Sequence, residues 1–391
     1  QMCIRDRGTD MKTSVDRILT THVGSLPRSQ AVTDVVFAHE NGTLDDPVRA
    51  AQVIRKAVSD VVKRQSDAGV DVVSDGEMSK ISYATYIKDR ITGFEGDSPR
   101  TPPQDLEEYP GFLERLASSG GTPTYSRPCC VGEVRVKDMD PVNQDIDNFK
   151  TALDGAGVVE GFMNAASPGV IALFQPNHHY ADHESYLEAL AEAMRPEYEA
   201  ITAAGLVLQL DSPDLGLGRH MMFKDRDESE YRRLAELHVE VLNHATRNID
   251  PALMRLHVCW GNYEGPHHCD APMSTVLPIA LGARPQALLF ESSNPRHAHE
   301  WMTFRDADIP DDKILVPGVL DSTTNFVEHP ELVAVRFCRF ADIVGRERVL
   351  AGTDCGFSTF AGFGAVDSDI VYAKLAAMAE GAEIASRRLW S

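Results

Sequence analysis

The chain has 391 residues, with 59 Asp and Glu against 38 Lys and Arg and a formal net charge of −21. That acidity argues against a nucleic-acid or anionic-membrane partner, either of which needs clustered Lys and Arg. A hydrophobic content of 43% and a charged content of 25% fit a globular protein and exclude a disordered one. No apolar stretch reaches the ~20 residues of a membrane span.

Residues 1–12 show no periodicity and read as a disordered tail or a scar, leaving 13–391 as a single catalytic unit. The next run, 17–25, reads as a strand. Residues 46–69 read as a helix: Asp46 and Pro47 give an N-cap and N1 start, Val53, Ile54, Val58, Val61 and Val62 recur at helical spacing, and Gly69 supplies the stop. Residues 70–76 are strand-like. The stretch from about 95 to 145 is rich in Pro and Gly and reads as an irregular insertion, with a hairpin expected around 129–136. Strands then follow over 159–167, 206–212, 253–260, 287–293, 313–322 and 348–356. Helices are expected over 183–204, 227–247, 330–344 and 366–387. Eight near-continuous apolar strands, most followed by a helix, predict a (β/α)8 TIM barrel. No GxGxxG opens a helix after a strand, so a dinucleotide-binding sheet has little support.

The seven cysteines are an odd number in a long chain with no visible signal peptide. Reduced thiols and a cytoplasmic setting are expected, not a disulfide framework.

Barrel chemistry sits at the C-terminal ends of strands. Most of these strands close on polar residues, which are costly to bury unless they bind something. His257 and Cys259 are two apart on one strand and share a face. With Glu291 and Cys355 from later strands they form a donor set suited to tetrahedral Zn²⁺. Either Cys alone reads more simply as a small buried hydrophobe; the set of four at one end does not. Glu77 and Asp211 suit a cationic amino group, and the backbone N–H groups near Gly24 suit an anion. Taken singly, Glu77 reads as a loop carboxylate and Asp211 as a turn residue before Ser212 and Pro213. Trp260 and Tyr263 are candidates for the pocket wall. His267, His268 and Cys269 match no trusted zinc spacing and read as a loop.

LTTHVGSLPRS (19–29), DGE (75–77), LQLDSPDL (208–215), HVC (257–259), FESS (290–293) and TDCG (353–356) together resemble the catalytic domain of cobalamin-independent methionine synthase. They are similar above all to its short single-domain relatives, which include epoxyalkane:coenzyme M transferase-like proteins. The resemblance runs from residue 17 to about 388. It implies zinc on His257, Cys259, Glu291 and Cys355, the substrate carboxylate on Gly24 and Ser25, and its ammonium on Glu77 and Asp211. It also implies methyl transfer to homocysteine, from a small methylated molecule or a methylcobalamin protein. Full-length members carry a His just after the seventh-strand Asp as proton donor. This chain has DSTTNF (321–326) there, with Thr323 about where the His would fall, so Asp321, Thr323 and His22 are the substitutes to consider. His329 before Pro330 reads as a helix cap. The rival readings are alkylation of another thiol, such as coenzyme M by an epoxide; a non-catalytic zinc or thiol-binding barrel; and a zinc hydrolase.

Overall fold

The computed structural model describes residues 10–119 and 123–391. Residues 1–9, most of the expected tail, lie outside these. The packed chain already includes Met11, which is buried and donates its N–H to the Ala252 carbonyl.

Helices α1 (Gln30–Glu40) and α2 (Pro47–Asp67) precede strand β1 (Val72–Ser74). The α2 start is the one expected: the Asp46 side chain accepts from Arg49 N–H and Pro47 stands in the first turn. An excursion follows, holding β2 (Phe94–Glu95), α3 (Gln104–Glu107), α4 (Pro110–Ser118) and β3 (Cys129–Cys130). The hairpin expected at 129–136 is replaced by a longer-range antiparallel pair, Phe94 with Cys130 and Glu95 with Cys129. The chain rejoins the outer helical layer at α5 (Asp140–Leu153).

A regular alternation then runs through β4 (Glu160–Ala166), α6 (Pro168–Phe174), α7 (His183–Ala203), β5 (Val207–Asp211), α8 (Glu228–Ala245), β6 (Met254–Val258) and α9 (Met273–Leu281). It continues through β7 (Ala287–Phe290), α10 (Trp301–Asp306), β8 (Ile314–Leu320), α11 (Pro330–Val344), β9 (Gly352–Thr353) and α12 (Ser368–Leu389). As expected, His329 caps α11, its ring accepting from Glu331 N–H.

The seven strands β1, β4, β5, β6, β7, β8 and β9 form one parallel sheet in that order. The eighth expected strand, 17–25, is present as an extended segment with a single bridge, Thr20 to Ala351. It touches both sheet edges: Val72 N–H donates to Thr20 O at 3.0 Å, and Thr21 N–H donates to Ala351 O at 2.7 Å. The sheet therefore curls until its two edges meet one segment.

Alternation along the strands sorts the apolar residues. Phe162, Val207, Leu289, Ile314 and Val316 face inward with Val72 and Leu350, whereas Met163, Leu208, Leu288 and Leu315 face the helices. Arg255 fills the interior beside them. It stacks on Phe162 at 3.8 Å and donates to Gln209 and Thr21, which offsets the cost of burying a cation. The inside is a packed plug, so a ligand can enter only where the strands end.

Candidate active site

At the C-terminal ends of the strands lies a cavity of about 430 Å³. Parallel register sets its floor: Asp211 at the end of β5 pairs directly with His257 of β6. Ser25, Glu77, Asp211, His257, Cys259 and Cys355 all line it. These six come from five separate strand ends or the loops that follow them.

His257, Cys259 and Cys355 are brought together. One ligand atom from each lies within 4.8 Å of the others, and all three residues are buried. The two thiols share a hydrogen bond that lowers the Cys259 pKa and lifts that of Cys355 well above the ordinary range. Burial alone would lower the His257 pKa, but the Asp211 carboxylate 3.4 Å from Nδ1 outweighs it and the ring is held at about 8. Glu291 is not part of this tight group. Its Oε1 accepts from Trp260 N–H at 2.8 Å and its Oε2 from Asn294 at 2.7 Å. Asp354 shapes that loop from behind, accepting N–H groups from Ser292, Ser293 and Asn294.

Glu77 follows β1 in a turn held by its own N–H to the Asp75 carboxylate. Its φ is +57°, unusual for a residue with a side chain and stabilised only by its surroundings. The residue is 2% exposed, and Oε2 has no hydrogen-bond partner among the described residues. Burial, then Lys80 and Asp211 in opposite directions, sets its pKa at about 7. Asp211 is oriented by two amides, Gln209 on Oδ1 at 2.8 Å and Asn164 on Oδ2 at 2.9 Å. The two carboxylates thus line the cavity beside the thiol and imidazole cluster.

The other expected residues are placed elsewhere. Gly24 lies beside the cavity, but its N–H donates to His22 Nδ1, and its φ of +136° presses it against the Asn164 side chain. His22 points into the protein, its Nε2 2.6 Å from Gln65 Oε1, and burial takes its pKa down to about 4. Asp321 and Thr323 bond to each other at 2.8 Å, with Thr324 on the second oxygen. None of His22, Asp321 and Thr323 is on the cavity wall. His267 and His297 lie behind the wall, both bonded to Asp270, with His297 stacked on Trp260 at 4.2 Å.

Tyr83 and Asn164 were not among the residues expected from the sequence. Tyr83 lines the cavity, and burial followed by the charges of Cys259 and Cys355 raises its pKa well above 10. Tyr263 is on the wall as expected, but it is held there by Asp105 of α3, which accepts its hydroxyl on both oxygens at 2.8 Å. Asn164, the amide that orients Asp211, sits mid-strand among apolar neighbours. A lone Asn in a buried strand was the available clue.

Fold and site together define an α/β enzyme whose chemistry is assembled at the ends of a curled parallel sheet. Its resemblance to the family described as cobalamin-independent synthase, catalytic domain, is supported by a family model that matches residues 18–100, which include Ser25 and Glu77. The chain is 23% identical over 373 residues to a methionine synthase of Saccharolobus solfataricus, covering 95% of each chain. It is 25% identical over 375 residues to one from Thermococcus kodakarensis, covering 95% of this chain and 94% of that one. Among solved structures, a B12-independent methionine synthase from Shewanella sp. W3-18-1, in complex with selenomethionine, superposes with a TM-score of 0.73 at 17% identity. That match covers 95% of this chain and 99% of the other, and it shows the shared fold. No described helix is long and apolar enough to cross a membrane.

Proposed function

We propose that the protein is a zinc-dependent methyltransferase of the methionine synthase type, with homocysteine as acceptor, built on a single (β/α)8 unit in which 17–25 acts as the eighth strand. The observation that carries this is the juxtaposition, in one cavity, of the His257, Cys259 and Cys355 cluster with the unpaired carboxylate of Glu77 and with Asp211. Relatives named methionine synthase, similar along nearly their whole length, support it.

The donor set fits a thiophilic cation. Two adjacent buried thiols and an imidazole are mutually within reach, and the thiol pair already favours loss of one proton. His257, Cys259 and Cys355 would hold Zn²⁺, with Glu291 as the exchangeable fourth ligand. When bound, the ion supplies the positive charge that keeps a substrate sulfur deprotonated near neutral pH.

The remaining work falls to the chain itself. Glu77 and Asp211 hold the substrate ammonium, and Ser25 with the adjoining backbone faces its carboxylate. This anchoring points the side-chain sulfur at the cluster. The sulfur lone pair forms the new S–CH3 bond as the donor's bond to methyl breaks, its electron pair staying on the donor. A sulfonate thiol such as coenzyme M, alkylated by an epoxide, would bring no ammonium to the open Oε2 of Glu77. This disfavours that rival.

Metal analysis and calorimetry test the reading. The purified protein should carry about one zinc, and Cys355→Ser should lose it. Homocysteine should perturb the thiolate absorption of the Co²⁺-substituted protein, and Asp211→Asn should remove that response. Full zinc retention in Cys355→Ser, or a response to coenzyme M and none to homocysteine, would overturn it.

A further inference from the structure

We propose that Glu108, His268 and Cys269 form a second metal site, apart from the cavity cluster, that takes a divalent transition cation such as Zn²⁺ and ties the excursion after β1 to the loop after β6. It goes beyond the transferase reading and does not depend on it.

The three donors come from two distant parts of the chain. His268 and Cys269 lie in the loop after β6, whereas Glu108 caps the C-terminus of α3 in the excursion. A separation of 160 residues between Glu108 and His268 hides the set from any reading of local spacing. The fold brings one ligand atom of each within 4.8 Å of the others. Glu108 faces both partners: Oε2 lies 2.7 Å from His268 Nε2, and Oε1 lies 3.8 Å from Cys269 Sγ. An imidazole, a thiol and a carboxylate are donor types of a zinc site, and three protein ligands leave a fourth position for water. None of the three lines the cavity. The side chains of His268 and Glu108 are 37% and 49% exposed, so an ion can reach them from solvent.

The local field favours a cation. Burial first, then the carboxylates of Glu108, Asp105 and Asp270, raise the Cys269 pKa. Together they hold the thiol protonated. A bound cation reverses that balance: the S–H bond breaks, its proton leaves to solvent, and the sulfur electron pair goes to the metal. No fixed cation takes the ion's place. Among the described residues His268 is the one ion-pair partner of Glu108. Lys224 pairs with Glu107 at 3.0 Å, and Arg296 donates to the His268 carbonyl at 3.4 Å.

Neighbouring contacts already hold the donors in register. Asp105, fully buried in α3, accepts from Tyr263 OH and from His267 N–H. The Tyr109 ring packs edge-on against His268 at 5.7 Å. An ion binding here therefore has little chain left to order.

The full chain, freed of metal by a chelator, is titrated with Co²⁺ and followed by calorimetry and by thiolate-to-cobalt absorption. The wild type should take up about two equivalents. His268→Ala and Cys269→Ser should each take up about one, as should Cys355→Ser, which keeps the outer site. As a measurement that needs no variant, alkylation of Cys269 by iodoacetamide in the wild type, read by peptide mass spectrometry, should slow about ten-fold or more when Zn²⁺ is added, since the sulfur is then engaged by the ion. Uptake of both equivalents by Cys269→Ser, or alkylation of Cys269 at the same rate with and without Zn²⁺, would overturn the inference. So would a single equivalent in the wild type that Cys355→Ser abolishes. A single equivalent lost in Cys269→Ser but kept in Cys355→Ser would leave this site standing and remove zinc from the cavity cluster.

Discussion

If Glu77 holds the substrate ammonium, its carboxylate should make ligand binding depend on pH, in a direction and size set by its surroundings. Its pKa is about 7, against an ordinary 4.5, chiefly because it is buried. Lys80 and Arg28 pull it down and Asp211 and Asp75 push it up. Because the folded state binds this proton more tightly than the unfolded chain, the associated stability is full below about 4.5. It is lost as the pH rises towards 7, by roughly 3 kcal/mol at about 1.4 kcal/mol per pH unit. Binding runs the other way, since an ammonium needs the ionised form. With a midpoint near 7, that form is about 9% of the protein at pH 6 and about 91% at pH 8, so the apparent Kd should fall about ten-fold across that range. L-methionine is the ligand of choice because it has no thiol to titrate. Calorimetry on the wild type and Glu77→Gln resolves the cause. Glu77→Gln should flatten the profile. A flat wild-type profile, or an undiminished slope in Glu77→Gln, would refute this account.

Three further outcomes follow from single contacts. Gly24→Ala should cost roughly 1–3 kcal/mol in thermal unfolding and weaken methionine binding. A Cβ there would lie 2.1 Å from Asn164 Oδ1, whose amide is already fixed between Val23 O and Asp211. Asp105→Ala should leave Tyr263 OH and His267 N–H without their acceptor, at about 1–3 kcal/mol each. Its loss should show first as faster hydrogen exchange across α3 and α4, not as global unfolding. Tyr83→Phe should lower kcat by about 10²-fold with donors whose leaving atom needs a proton, with methionine affinity unchanged. An unchanged kcat would show that the Tyr83 hydroxyl, which lines the cavity, gives no proton to the leaving atom.

What the sequence discloses follows from how each feature is encoded. The strands from β4 to β8 are near-continuous apolar runs, interrupted only by residues such as Asn164, Gln209 and Arg255, so their positions are plain from local pattern. The cluster of His257, Cys259 and Cys355 is legible too, because few residue types can ligate a metal and strand ends share one rim. The role of Glu291 is less so: a carboxylate can accept from the Trp260 backbone and the Asn294 amide as readily as bind a cation. The surroundings of His22 are equally hidden in the sequence, since the Gln65 oxygen 2.6 Å from its ring comes from a helix more than forty residues away.

The excursion after β1 is where sequence reading gives least, and the cause is physical. Tyr125, Cys130 and Val134 join the core, but α4 faces a cavity, so its burial is incomplete and its spacing need satisfy no continuous period. Pro102, Pro103 and Pro123 read as loop punctuation, yet in the fold they present apolar rings to the space above the thiols. Asp105 reads as a surface carboxylate until Tyr263 and His267, far along the chain, supply its partners. The residues at the strand ends are set by the register of the parallel sheet, whereas the excursion lies outside that register, so no period of the sheet reports its position.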